Sequence, residues 1–150
     1  MANRGELRID RAKGAEAELL AGLNRQLDED EPHPYPLPIA ALTERMQRWI
    51  DSGEYQVLLF RRGERVTGYA AWRLEDRGAY LRHFFICRDQ RRQGWGRAAM
   101  ALLCGEVFPK DRPVQIEAAI ENKAGIAFWR GIGFQDFGLS MELKAGQTVK

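Results

Sequence analysis

The sequence predicts an α/β (α+β) domain, with helices packed on a mixed sheet, and three observations lead to that prediction. Apolar residues recur at helical spacing in four stretches and at strand spacing in the stretches between them. The strand, helix, strand succession over residues 79–120 calls for a right-handed parallel crossover, whereas residues 55–74 read as an antiparallel hairpin. Finally, 150 residues with 45% apolar content suffice for one core, since a chain of that length buries about 68–70% of the surface it exposes unfolded. One domain over residues 1–150 is therefore expected, and no repeat or low-complexity tract divides it.

A short strand over residues 7–9 comes first. Ala15, Leu19, Leu20, Leu23 and Leu27 then mark a helix over 14–27 that ends near Asp28. The acids Asp28, Glu29, Asp30 and Glu31 follow, then Pro32, Pro34, Pro36 and Pro38 with His33 and Tyr35 among them, so residues 28–38 are expected to lack regular structure. A second helix over 38–50 turns Ile39, Leu42, Met46, Trp49 and Ile50 inward and stops at Asp51, Ser52 and Gly53. Strands over 55–60 and 65–74 are joined by Arg61, Arg62, Gly63 and Glu64, a turn-forming cluster, and a third strand over 79–87 is entered through Asp76, Arg77 and Gly78. A helix from Gly94 carries Ala98, Ala99, Leu102, Leu103 and Val107 before Pro109. A strand over 114–120, a helix over 124–130 and a last strand over 137–143 complete the order.

Composition narrows the function. With 23 basic against 21 acidic residues the formal charge is +2, which argues against a generic nucleic-acid coat protein. No apolar run approaches the roughly 20 residues that cross a bilayer, and the N-terminus lacks the apolar centre of a signal peptide, so a cytoplasmic protein without membrane contact is expected. Cys87 and Cys104 have no CxxC partner or His-rich neighbourhood, so they are expected as buried, reduced thiols and no metal is implied. Trp49, Tyr55, Trp72 and Phe84 belong to the core or to the lining of a cleft.

The most informative segment is residues 86–98, where an apolar strand passes into a helix through Gly94-Trp95-Gly96. Backbone N–H groups at a helix start have no intrahelical partner, and glycine lets a phosphate approach them closely. Residues 82–97 hold five arginines, at 82, 88, 91, 92 and 97, against the single acid Asp89, a local charge of +4. The segment reads either as a pyrophosphate cradle or as a tight turn bordered by a solvated basic face. It is neither a P-loop nor a full dinucleotide fingerprint, because no Lys-Ser/Thr follows and Ala99 stands at the third glycine position.

Arg91-x-x-Gly94-x-Gly96 after an apolar strand resembles the acyl-coenzyme A motif of the GNAT superfamily of N-acetyltransferases. Residues 122–134, with Asn122, the aromatic pair Phe128 and Trp129, and Gly133-Phe134, are similar to that family's later motif. The two motifs stand in the family's order, and the elements over residues 6–143 fit its layout. The resemblance implies a GNAT-like domain whose central sheet of six to seven strands splays between strands 4 and 5, flanked by about four helices.

It also implies a cosubstrate, acetyl-coenzyme A, lying in the splay, an acyltransferase activity toward a primary amine of a small molecule or peptide, and direct attack by that amine. Backbone groups near Phe84, Ile86 and Arg88 would pair with pantetheine amides, and N–H groups of Arg91, Arg92, Gln93, Gly94, Trp95, Gly96, Arg97 and Ala98 would receive pyrophosphate. Asn122 would orient the thioester end or cap the next helix, and Phe128 and Trp129 would pack along pantetheine. Glu117 is the first candidate for general base, with an ion pair at the sheet edge as the alternative; it is expected inside a mostly apolar cleft that raises its pKa. His83 is the second candidate, or a packed core histidine, and Tyr80 is the third. Many relatives carry Tyr seven residues after the Asn, where this chain has Trp129, whose indole cannot act as a general acid; a non-catalytic acyl-coenzyme A binding or regulatory module is therefore the rival reading. The acceptor wall is expected from the segment between the first two helices, where Asp30, Glu31 and Tyr35 would meet a cationic amine or simply line a solvated loop. The partners implied are acetyl-coenzyme A and an amine acceptor, without nucleic acid, metal or membrane, and with a homodimer as the assembly to test.

Overall fold

A computed structural model of the chain describes residues 5–31 and 33–150. The fold has one compact unit reaching Ala119 and a second comprising Ile120–Lys150. In the first, five strands lie in the order of the chain: β1 (Leu7–Arg11), β2 (Gln56–Arg62), β3 (Arg65–Glu75), β4 (Gly78–Ile86) and β5 (Val114–Gln115). The pairs β1/β2, β2/β3 and β3/β4 are antiparallel and β4/β5 is parallel, which is the mixed sheet that the hairpin and crossover patterns call for.

Three helices belong to this unit: α1 (Ala17–Asp30), α2 (Ile39–Ser52) and α3 (Trp95–Leu102). Leu20 and Leu23 of α1 and Met46 and Trp49 of α2 pack on one sheet face, against Val57, Leu59, Tyr69, Ala71 and Phe85. The intervening Leu58, Phe60 and Ala70 are buried as well. Both faces are therefore covered, and α3, which packs on β1 and β4, lies over the second one. This explains why β2 and β3 read as continuous apolar runs. Gly53, with φ of 73°, ends α2 in the left-handed conformation, as the sequence predicts.

Four expectations are corrected. The helix α1 runs through Asp28 and Glu29 to Asp30, because Glu29 and Asp30, which the helix dipole disfavours at a C-terminus, meet Arg88 and Arg91 from the turn after β4. After Leu102 the expected helix widens into a π turn over Leu103–Val107 that closes with Phe108 N–H on the Leu103 carbonyl at 2.8 Å. Cys104 is exposed on that turn and Cys87 is half-buried, so neither is a core thiol. The sheet has five strands among the described residues instead of six to seven: β5 pairs over two residues only, and residues 137–143 form no ladder, with Phe137, Leu139, Met141 and Leu143 all exposed.

In the second unit α4 (Lys123–Gly131) is capped by Asn122, whose Oδ1 accepts from the Gly125 N–H at 3.0 Å. Trp129 stands between Phe128 and Phe134, with ring centroids 5.0 and 5.1 Å away.

Candidate functional site

The β4–α3 junction is built as a cradle. Arg92 and Gly94 both have positive φ, 61° and 84°, which curls the backbone just before the helix. The first intrahelical bond joins Ala98 N–H to the Gly94 carbonyl at 3.0 Å, so the N–H groups of the preceding residues lie at the positive end of the helix dipole. A Cβ placed on Gly94 would meet nothing within 4 Å. The space before the turn therefore suits a phosphate.

The turn is held from beneath by a buried amide. Gln90, only 2% exposed, accepts from Arg62 Nη2 at 2.6 Å and donates to the Val66 carbonyl at 2.9 Å. The same Arg62 guanidinium lies 4.2 Å from the centre of the Trp95 ring at the start of α3. Strand β2, the hairpin and the helix are thereby tied to one another, a preorganisation the sequence did not announce.

The charge around the cradle differs from the simple count. Arg88 Nη2 lies 3.1 Å from both Glu29 and Asp30, and Arg91 Nη2 lies 2.6 Å from Asp30. Arg91 also donates to the Ile86 carbonyl at 2.8 Å. Burial acts to raise the Asp30 carboxyl, but Arg91 and Arg88 outweigh it and hold it below the usual carboxylate range. Asp30 thus fastens the end of α1 to the cradle and is engaged there by two guanidiniums. Arg92 has no acidic partner among the described residues and supplies unpaired charge. Tyr35, 80% exposed, stands in the segment before α2.

Upstream, β4 runs beside β5 only at Ala79↔Val114 and Tyr80↔Gln115, and then continues through Phe84 to Ile86. Gly78 makes the approach possible, since a Cβ there would stand 2.2 Å from the Pro113 carbonyl oxygen. Phe84 and Ile86, the strand positions expected to face pantetheine, thus lie beyond the β4/β5 pairing. Phe84 itself packs on Phe60 with ring centroids 5.7 Å apart.

The three candidate acid–base residues differ in surroundings. His83 is 8% exposed, with Nδ1 3.1 Å from the Tyr69 hydroxyl and its ring against Trp49. Burial, aided by Arg45 and Arg82, lowers its pKa to about 3. At neutral pH it is an uncharged core imidazole. Tyr80 is half-buried, and burial followed by the Glu117 carboxylate raises its pKa, so its hydroxyl keeps its proton. Glu117 is exposed, two residues beyond β5, and not enclosed in the expected apolar cleft. The structure brings Tyr80 and Glu117 into electrostatic reach of each other and leaves His83 behind them in the core. Among the described residues no group of three His, Cys, Asp or Glu could hold a metal, and no helix is long and apolar enough to cross a membrane.

Sequence reasoning missed a cluster on the α1/α2 face. Trp49 and Tyr55 pack with centroids 4.6 Å apart, and the guanidiniums of Arg45, Arg82 and Arg73 stack around them at 4.7–5.2 Å. A register shift between Ala71 and Trp72, which pair with His83 and Leu81, leaves Arg82 as the extra residue of a bulge. Strict alternation gives no sign of it.

The model of the acetyltransferase (GNAT) family matches residues 23–134. No curated protein sequence matches the chain. Among solved structures, an aminoglycoside N-acetyltransferase AAC(6′)-Iy in complex with CoA superposes with a TM-score of 0.74 at 14% identity, covering 98% of this chain and 100% of its own. A ribosomal-protein-alanine N-acetyltransferase from Brucella melitensis biovar Abortus 2308 gives 0.71 at 14% identity, with 93% and 99% covered. A predicted acetyltransferase with acetyl-CoA from Clostridium acetobutylicum gives 0.68 at 14%, with 93% and 96% covered.

Proposed function

The chain belongs to the acetyltransferase (GNAT) family, and we propose that it moves the acetyl group of acetyl-coenzyme A to a primary amine of a small molecule or peptide. The observation that carries this reading is the open, left-handed turn at Gly94, set at the start of α3 just after β4, whose pairing with β5 ends at Tyr80. N–H groups from Arg91 to Ala98, with the Arg92 charge, would hold pyrophosphate, and backbone groups of Phe84, Ile86 and Arg88 would pair with pantetheine. Asn122, Phe128 and Trp129 complete the set that the family motif assigns to the cosubstrate. When bound, acetyl-coenzyme A supplies the acyl group and a thiolate leaving group.

The chain's own residues divide the proton work. Glu117, exposed and unprotected from water, takes the proton that the amine must lose. Tyr80, whose hydroxyl burial and the Glu117 carboxylate keep protonated, is the donor in this reading, a role for which the indole of Trp129 has no acidic proton. His83 positions Tyr69 in the core and does not exchange protons at neutral pH.

Trp129, at the position where many relatives carry Tyr, favours a second reading: a non-catalytic acyl-coenzyme A binding module. Thiol release from acetyl-coenzyme A, measured over a panel of amines and N-terminal peptides, separates the two. Release dependent on an amine supports the transferase. Calorimetric binding of the thioester with no release for any amine replaces it with the binding module.

A further inference from the structure

Three arginines surround the Trp49–Tyr55 pair; Asp28 acts on Arg45 and Glu75 touches Arg73, but Arg82 has no carboxylate in ion-pair contact among the described residues. Arg82 donates to the Tyr55 hydroxyl at 3.3 Å and makes no ion pair among the described residues. Arg45 bonds the neutral Asn24 amide at 2.7 Å, and its buried Nε has no partner. Arg73 has only a loose contact with Glu75, 3.5 Å. Gathering like charges on one aromatic platform is unfavourable unless something anionic joins them. The planar fork of a stacked arginine matches a carboxylate.

The cluster adjoins the candidate chemistry. Tyr80 pairs across the sheet with Arg73, and both Glu117 and Arg82 act on its hydroxyl from within electrostatic reach. An acceptor lying on Tyr80 would have both a carboxylate and a guanidinium within electrostatic reach. A zwitterion with its amine and carboxylate a few bonds apart fits that arrangement.

Resting on the acetyltransferase reading, we propose that the acceptor bears a carboxylate near its reactive amine, and that Arg82, backed by Arg73 and Arg45 on the Trp49–Tyr55 platform, receives it. The carboxylate belongs either to a free amino acid or to an acidic first residue of a peptide.

The test compares L-amino acids with their α-amides, and dipeptide amides beginning with Asp with those beginning with Asn, in kcat/KM by thiol release. Wild type is expected to favour one carboxylated member by roughly 10- to 100-fold, the span of a charge-assisted contact. Preference in the first pair assigns the carboxylate to a free amino acid, and preference in the second assigns it to a peptide. Arg82→Gln, at an exposed position, should bring the ratio close to one, and Arg82→Lys should restore part of it. Equal use of both members of each pair by wild type, or an Arg82→Gln loss equal for acid and amide, overturns the proposal. Calorimetry of the same pairs with coenzyme A-saturated protein separates the two readings. Carboxylate-selective binding without thiol release for any amine overturns the transferase and keeps the anion site, whereas release without selectivity overturns the anion site alone.

Discussion

His83 makes the chain sensitive to acid in a way that can be worked from the structure. The group titrates at its ordinary 6.5 when unfolded and at about 3 in the folded protein, because burial and the neighbouring Arg45 and Arg82 disfavour the imidazolium. Its folded pKa is depressed, so the unfolded chain binds the proton first. Stability from this group is complete above 6.5 and is lost as pH falls from 6.5 toward 3. Each pH unit within that window removes about 1.4 kcal/mol. Between pH 7 and pH 5 the loss is about 2 kcal/mol, and for a chain of 150 residues that shifts the melting temperature by roughly 4–8 °C. Urea unfolding of wild type and His83→Gln at both pH values isolates it. Glutamine retains an acceptor for the Tyr69 hydroxyl, and the carboxylates common to both proteins cancel in the difference. The variant should lose about 2 kcal/mol less than wild type on acidification. An equal loss in the two proteins, or a signal assigned to the His83 imidazole, absent from His83→Gln, that titrates near 6.5 in the folded protein, would refute both the neutral core histidine and its dismissal as the catalytic base.

Gly94→Val should abolish acetyl-coenzyme A binding in calorimetry while circular dichroism stays that of wild type; the new Cβ enters open space, but φ of 84° disfavours a branched residue and the side chain covers the N–H groups. Undiminished affinity would remove the cradle from this turn. Glu117→Gln should lower kcat by about 10²- to 10⁴-fold with the cosubstrate affinity kept; near-normal turnover would hand the proton to a water chain. Trp129→Phe should keep most activity, since the ring packing with Phe128 and Phe134 is conserved and only an N–H donor disappears, while Trp129→Tyr should equal or modestly exceed wild type. A collapse of kcat in Trp129→Phe at unchanged cosubstrate affinity would mean that the indole N–H contacts the reacting thioester.

Local periodicity and turn chemistry were enough to find the helices, the first four strands and the Gly94 turn, because each is determined by residues within a few positions of one another. Asn122 as the cap of α4 is of the same kind. What escaped depends on distant partners. Asp28 to Asp30 were read as part of the irregular, proline-rich segment 28–38, and Arg88 and Arg91, 58 to 61 residues after Asp30, hold the acids of the longer helix. Residues 137–143 alternate as a strand should, yet alternation specifies a face and not a partner. Without a neighbouring ladder the segment stays extended with its apolar side chains exposed.

Arg82 shows how a charge count along the chain can mislead. Counted with its neighbours it is one of five arginines beside the pyrophosphate turn. In the fold it lies within β4, whereas Arg88 and Arg91 belong to the turn that follows the strand's end at Ile86. A one-residue bulge turns it to the face where His83 already points, onto Trp49 and Tyr55. Arg88 and Arg91 in turn are matched by Glu29 and Asp30. The cradle therefore relies on oriented backbone N–H groups and Arg92 more than on bulk positive charge, while Arg82, with no ion pair among the described residues, sits midway along β4. If anion binding at the turn depends chiefly on backbone dipoles, the position of the turn matters more than any single arginine. The same stretch of chain then presents fixed dipoles to a phosphate just past the end of β4 and a stacked, ionic guanidinium to the acceptor from the middle of the strand.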